Sequence, residues 1–144
     1  MSLLDIQNLT VQFGGLKAIS NVNLSLDAGQ MVGLIGPNGA GKTTLFNAIT
    51  GVVPKTEGAI LFDGKDLSKY KPNQIAHLGI SRTFQNIRLF SKMTAEENVA
   101  IGINSVADYG IISAFLGLPD ARRKDRETKK KAQEYLERVN LLPY

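Results

Sequence analysis

Cysteine and tryptophan are absent from this sequence, and histidine occurs once, as His77. Without cysteine there can be no disulfide and no thiolate metal site, which fits a reducing, cytosolic setting. Long apolar runs are missing too. No window approaches the roughly 18 to 20 residues that a membrane-spanning helix needs. The opening MSLLDIQNLT holds neither a basic segment nor a long apolar stretch, which argues against a secretory leader. These absences predict a soluble protein, one that could still dock on a membrane protein.

What is present suffices for one domain. The chain has 144 residues and is 43% hydrophobic, enough to fill a core. The net charge of +4 is concentrated. Residues 120–138 hold eight Lys/Arg and five Asp/Glu, which accounts for +3 of it. Acids are interleaved with the bases and no run of aromatics accompanies them. The stretch therefore reads as a solvated helix face rather than a nucleic-acid footprint.

The start alternates. Leu9, Val11 and Phe13 face one way and Thr10 and Gln12 the other, a half-buried strand closed by Gly14 and Gly15. Val22, Leu24 and Leu26 repeat the pattern up to a turn at DAGQ. MVGLIG is a continuous apolar run, the form of a strand buried on both faces. KTTLFNAIT follows as a short helix with Gly51 just past its end. GAILFDGKDL reads as a strand entering an Asp-Gly turn, KPNQIAHLG as a short helix, and ISRTF as another short strand. Thr94 and Glu97 have capping-box spacing, so a helix is expected from Ala95. Residues 105–119 are irregular and apolar. A long helix is expected from Asp120, as N-cap, to about Asn140, with Ala132, Tyr135, Leu136 and Val139 as its buried seam. The order suggests an α/β core with an antiparallel N-terminal part and a helical attachment.

Chemistry is carried by residues 36–44, GPNGAGKTT, which match G-x-x-x-x-G-K-[ST] between an apolar run and a helix. Cradling a phosphate with backbone N–H groups demands the conformations and close approach that favour Gly36, Gly39 and Gly41. A helix beginning near Lys42 aims its positive dipole end at the anion. Lys42 can reach the β and γ phosphates, Thr43 can ligate Mg²⁺, and Thr44 can donate to a phosphate oxygen. Asp63 ends an apolar run, as a metal-supporting acid would, but Gly64 follows and a hairpin turn is the better reading. His77 shows no partner carboxylate and reads as non-catalytic. Phe13 is either a core aromatic or a platform for a base.

At these residues the sequence resembles the nucleotide-binding subunits of ATP-binding cassette transporters. GPNGAGKTTL is typical of that family. VQFGGLKAISNVNLSL resembles its N-terminal sheet, which would make Phe13 the adenine-stacking aromatic. GISRTFQNIRLFSKMTAEENV resembles the segment carrying its glutamine loop, with Gln85 at the matching position and expected to touch Mg²⁺ or the attacking water. FGGLKAI together with RTFQNIRLF is similar to the ATPase subunits of branched-chain amino acid importers; urea and amide importers are near alternatives, and a non-transport cassette ATPase is a more distant one.

The resemblance implies a P-loop NTPase fold with an antiparallel β part and a partial helical subdomain. It implies an ATP-binding core over residues 1–84, then the glutamine loop and an incomplete helical subdomain over residues 85–144. The implied site is Phe13, Gly36, Asn38, Gly39, Ala40, Gly41, Lys42, Thr43 and Thr44 for ATP, Thr43 and Gln85 for Mg²⁺, and Lys42 and Gln85 for catalysis. The implied partners are transmembrane permease subunits, a second ATPase subunit and, indirectly, an extracellular or periplasmic solute-binding protein, with no nucleic acid. The implied location is the cytoplasmic face of the plasma membrane. No LSGGQ loop and no apolar strand ending in Asp-Glu occurs in these 144 residues. The expectation is therefore that ATPase activity belongs to a longer subunit, that residues 1–144 alone bind nucleotide without hydrolysing it, and that MVGLIG lacks its sheet neighbours.

Overall fold

A computed structural model describes residues 2–84, 89–104 and 119–141. The chain divides into two compact units, residues 1–83 and 84–144.

The first unit begins with two long strands, β1 (Leu4–Phe13) and β2 (Leu16–Leu26), joined by the tight turn at Gly14 and Gly15. β3 (Glu57–Phe62) and β4 (Lys65–Asp66) complete an antiparallel sheet in the order β2-β1-β3-β4. Asp63 and Gly64, both at positive φ, make the two-residue turn between β3 and β4, so Asp63 belongs to a hairpin. β1 departs from simple alternation. Asn8 sits at φ 49 and the register with β2 shifts between Ile6 and Leu9. This bulge puts Ile6, Leu9 and Val11 all in the core. Thr10, expected to face outward, is buried as well; its hydroxyl accepts the Asn21 N–H at 3.2 Å. Gly58 crosses the bulge on β3 at φ 85, where a Cβ would lie 2.4 Å from the Gln7 and Asn8 carbonyl oxygens, so only glycine fits.

Helix α1 (Lys42–Ile49) packs Leu45, Ala48 and Ile49 into the same core as Ile6, Leu9, Val11, Ile19 and Ile60. Its C-terminus closes as a Schellman motif: the Val52 N–H reaches the Asn47 carbonyl at 2.9 Å and the Gly51 N–H the Ala48 carbonyl at 3.1 Å. A 3-10 turn (Leu67–Lys69) and α2 (Pro72–His77) add Leu67 and Ile75.

Two expected strands are absent. Residues 31–36, MVGLIG, belong to no strand, with Met31 fully exposed and Ile35 96% exposed. A strand exists only through its ladder, and none of the described strands lies beside this run. Residues 80–84, ISRTF, form no strand for the same reason.

The second unit contains α3 (Ala95–Asn104) and α4 (Pro119–Arg138). Thr94 caps α3 as its spacing predicts: the Thr94 N–H donates to the Glu97 carboxylate at 2.8 Å and the Glu97 N–H to the Thr94 hydroxyl at 3.2 Å. α4 starts one residue before Asp120, which is therefore inside the helix rather than its cap. Its buried seam is Thr128, Ala132 and Leu136, at strict four-residue spacing. Tyr135 and Val139 are exposed, because they lie on the flanks of that narrower stripe. The other described charged side chains of α4 face solvent, with an Asp125–Lys129 pair at 3.8 Å. Among the described residues no helix is long and apolar enough to cross a membrane. The irregular stretch expected at 105–119 lies almost wholly outside the described residues.

One acid in the first unit gives a pH-dependent element. Asp66 caps the 3-10 turn, accepting the Ser68 N–H at 3.0 Å and the Ser68 hydroxyl at 2.8 Å. These two bonds, chiefly the backbone one, hold its carboxyl below the ordinary carboxylate range, with Lys55 and Lys69 assisting. A lowered folded-state pKa means stabilisation present above the unfolded value, about 3.9, and lost as pH falls through the folded one. Asp66→Ala is expected to cost about 1 kcal/mol at neutral pH. In urea unfolding curves that difference should vanish once both forms of the carboxyl are protonated. A cost independent of pH would show that the cap bonds do not supply it.

Candidate phosphate site

The loop from Gly36 to Gly41 is built by a turn and two close approaches. The Ala40 N–H bonds the Pro37 carbonyl at 3.3 Å, closing the tip at Asn38 and Gly39. Gly36 and Ala40 then face each other, since a Cβ on Gly36 would lie 3.3 Å from the Ala40 methyl. Gly41 is the N-cap of α1, at φ 83, with its missing side chain pointed at β2. A Cβ there would lie 2.6 Å from the Ala18 carbonyl oxygen. The loop thus rests on the sheet, and the start of α1 is fixed relative to β2.

The resulting cleft, about 270 Å³, is lined by Asn38 to Thr44 on one side and Leu16, Lys17 and Ala18 on the other. Its base is the N-terminus of α1, whose first N–H groups have no intrahelical acceptor. No side chain caps this end and no acid sits in its first turn. The donors and the dipole are left facing the cleft, which is the donor set that an oxyanion of phosphate fits. The Lys42 ammonium folds over the loop and donates to the Gly36 carbonyl and, at 2.6 Å, to the Pro37 carbonyl. It is a positive charge parked at the mouth. A phosphate would offer it stronger, charge-assisted bonds than these neutral oxygens do.

Thr43 is exposed at the cleft and Thr44 half-buried. For Mg²⁺ the loop offers the Thr43 hydroxyl, and no group of three or more acidic, His or Cys residues is gathered among the described residues. That suits an ion held mostly by phosphate oxygens and water, as magnesium is with nucleotides.

The structure therefore brings Asn38, Gly39, Ala40, Gly41, Lys42, Thr43 and Thr44 together, with Gly36 one contact away. Phe13 is 49% exposed and does not line the cleft; it pairs across the hairpin with Leu16, which does. Gln85 and Arg88 lie outside the described residues. His77 bonds the Asn73 carbonyl of its own helix at 2.6 Å and is remote from the cleft lining. Lys17 is a lining cation that the sequence pattern does not single out, because only the hairpin register sets it opposite the loop. A second cleft of about 310 Å³ lies under the C-terminal end of α1, by Val53, Lys55 and Tyr70. It is slightly larger, but the helix start that lines it, the 3-10 turn at Leu67 and Ser68, is already capped by Asp66.

The family model described as "ABC transporter" matches residues 19–143. The high-affinity branched-chain amino acid transport ATP-binding protein BraF of Pseudomonas aeruginosa is 42% identical over 142 residues, covering 99% of this chain and 56% of that protein. The corresponding LivG protein of Escherichia coli K12 is 44% identical over the same length and shares. The chain thus spans 56% of the length of these relatives. Among solved structures, the ADP conformation of an ATP-binding cassette of an ABC transporter is similar at a TM-score of 0.76 and 36% identity, over 99% of this chain and 55% of that one. A dimeric post-hydrolysis cassette bound to ADP and Pi is similar at 0.67 and 26%, over 93% of this chain and 56% of that one. Loop, helix, sheet and sequence agree, and the chain belongs to the ABC transporter family of ATP-binding cassettes.

Proposed function

We propose that this chain is the nucleotide-binding portion of an ATPase subunit that powers import of branched-chain amino acids. The observation that carries the reading is the uncapped N-terminus of α1 facing the Gly36–Thr44 cleft, with Lys42 at its mouth. The substrate class rests on the names of the relatives described above, which are branched-chain amino acid transport ATP-binding proteins.

In this reading the loop N–H groups and Lys42 bind the β and γ phosphates, and Thr43 orients the magnesium that neutralises their charge. Phosphoryl transfer to water is governed by positioning and charge stabilisation, so a rigid cradle is the main contribution of these residues. Gln85 contacts the magnesium or the attacking water. Phe13 meets the adenine. A second ATPase subunit completes the site across a dimer interface, and ATP favours the closed pair. Leu89, Phe90 and Met93, all exposed, face the permease. The subunit is then peripheral on the cytoplasmic membrane face, and a solute-binding protein delivers the amino acid to the permease.

The test is reconstitution of the full-length subunit with its permease in proteoliposomes holding ATP. Leucine, isoleucine or valine uptake that stops when ATP is omitted is expected. Uptake of urea or short amides instead would move the protein to that importer class. Failure to associate with any permease would remove the transport reading.

A further inference from the structure

The exposed turn that precedes α3 is tied to the helix by Asn98 at Phe90, Met93 and Thr94, beside the Thr94–Glu97 capping bonds. Phe90 and Met93 close a β-turn, the Met93 N–H donating to the Phe90 carbonyl at 3.0 Å. Asn98, one turn into α3 and half-buried, reaches back across it. Its Oδ1 accepts the Phe90 N–H at 2.9 Å. Its Nδ2 donates to the carbonyls of Phe90 at 3.2 Å, Met93 at 3.3 Å and Thr94 at 2.9 Å. The amide thus pairs with the N–H and C=O of Phe90 as a second peptide group would, while tying the same turn to the helix start. Three carbonyls surround the nitrogen and one N–H meets the oxygen, so the amide has only one workable orientation. Aspartate has the shape but no donors, and glutamine is a methylene too long.

The residues around this clasp are only partly ordered by burial. Leu89 is 68% exposed, Phe90 57% and Met93 37%. A turn presenting these apolar side chains largely to solvent gains only limited hydrophobic stabilisation from them, so hydrogen bonds contribute much of its shape.

We propose that Asn98 is a positioning residue that holds the Phe90–Thr94 turn in one shape, so that Leu89, Phe90 and Met93 meet the permease as a preformed contact. The inference rests on the transport reading. Preordering cuts the entropy lost on docking, so the clasp acts on coupling to the permease and leaves the phosphate cradle alone.

The experiment uses the full-length subunit, alone and with its permease in proteoliposomes, as wild type, Asn98→Ala and Asn98→Asp. Loss of the acceptor for the Phe90 N–H is expected to speed hydrogen exchange at that amide about tenfold or more in Asn98→Ala, whereas Asn98→Asp keeps an acceptor there and loses only the bonds to the three carbonyls. Permease-stimulated ATP turnover should fall by about tenfold. Mg-ATP affinity of the isolated subunit should stay within about twofold, because no cradle residue is touched. Asn98→Asp should be no better than Asn98→Ala, since its carboxylate faces three carbonyls. Unchanged stimulation in the variants, full function in Asn98→Asp, or a parallel fall in nucleotide affinity each overturns the proposal. A wild-type subunit that the permease does not stimulate sinks the transport reading itself, and is thereby distinguished from failure of the clasp alone.

Discussion

Gly41→Ala is expected to destabilise the first unit by about 3 kcal/mol or more. Two effects combine. The backbone stands at φ 83, a conformation that costs an alanine about 1–2 kcal/mol. The added methyl would then lie 2.6 Å from the Ala18 carbonyl oxygen, a backbone atom in a paired strand that cannot step aside cheaply. The loop must lift off β2, which turns the N-terminus of α1 away from the cleft. Gly39→Ala is the internal control. Gly39 has almost the same φ, 85, but open space around its Cβ. It should show the conformational cost alone, about 1–2 kcal/mol. Denaturant unfolding of both variants separates the two contributions. Equal stability of the two would mean that the contact with β2 does not hold the loop.

The parts of this fold that local chemistry dictates could be read directly from the chain. Gly14-Gly15 and Asp63-Gly64 make turns wherever they fall between alternating strands, and Thr94 with Glu97 caps a helix through bonds within one turn. The phosphate loop is legible for the same reason: Gly36, Gly39, Lys42 and Thr43 answer constraints set within nine consecutive residues, whereas the packing of Gly41 against Ala18 of β2 shows only in the fold. What depends on distant partners is not written in the neighbouring residue types. MVGLIG has a strand's composition, yet a strand is a property of its neighbours, and none of the described strands adjoins it. The Asn8 bulge set Ile6 on the same face as Leu9 and Val11, and Thr10 is buried on the opposite face, neither of which period-two counting anticipates. Thr128 took a place on the buried stripe of α4 that counting apolar residues assigned to Tyr135 and Val139. Lys17 and Asn98 do their work across a hairpin register and a turn, where nothing in the residue type marks them.

Lys42→Ala is expected to leave the fold intact and remove most of the nucleotide affinity. Its ammonium bonds only carbonyls of the exposed loop, so deleting it should change stability by no more than about 0.5 kcal/mol. With a triphosphate in the cleft, the same ammonium is the only side-chain cation in the phosphate loop, residues 36–44, positioned to bridge two phosphates. Hydrogen bonds to charged groups contribute about 1.5–3 kcal/mol, which corresponds to a loss of roughly 10- to 150-fold in affinity. The backbone donors of α1 remain, so some binding should persist at high nucleotide. The direct measurement is an equilibrium titration of Mg-ATP into wild type and Lys42→Ala, with unfolding curves confirming that both are folded. Saturable binding by wild type, weakened by that factor in the variant, is the predicted result. Equal affinity in the two proteins, or no binding by either while folded, would contradict the assignment of this cleft as a phosphate site.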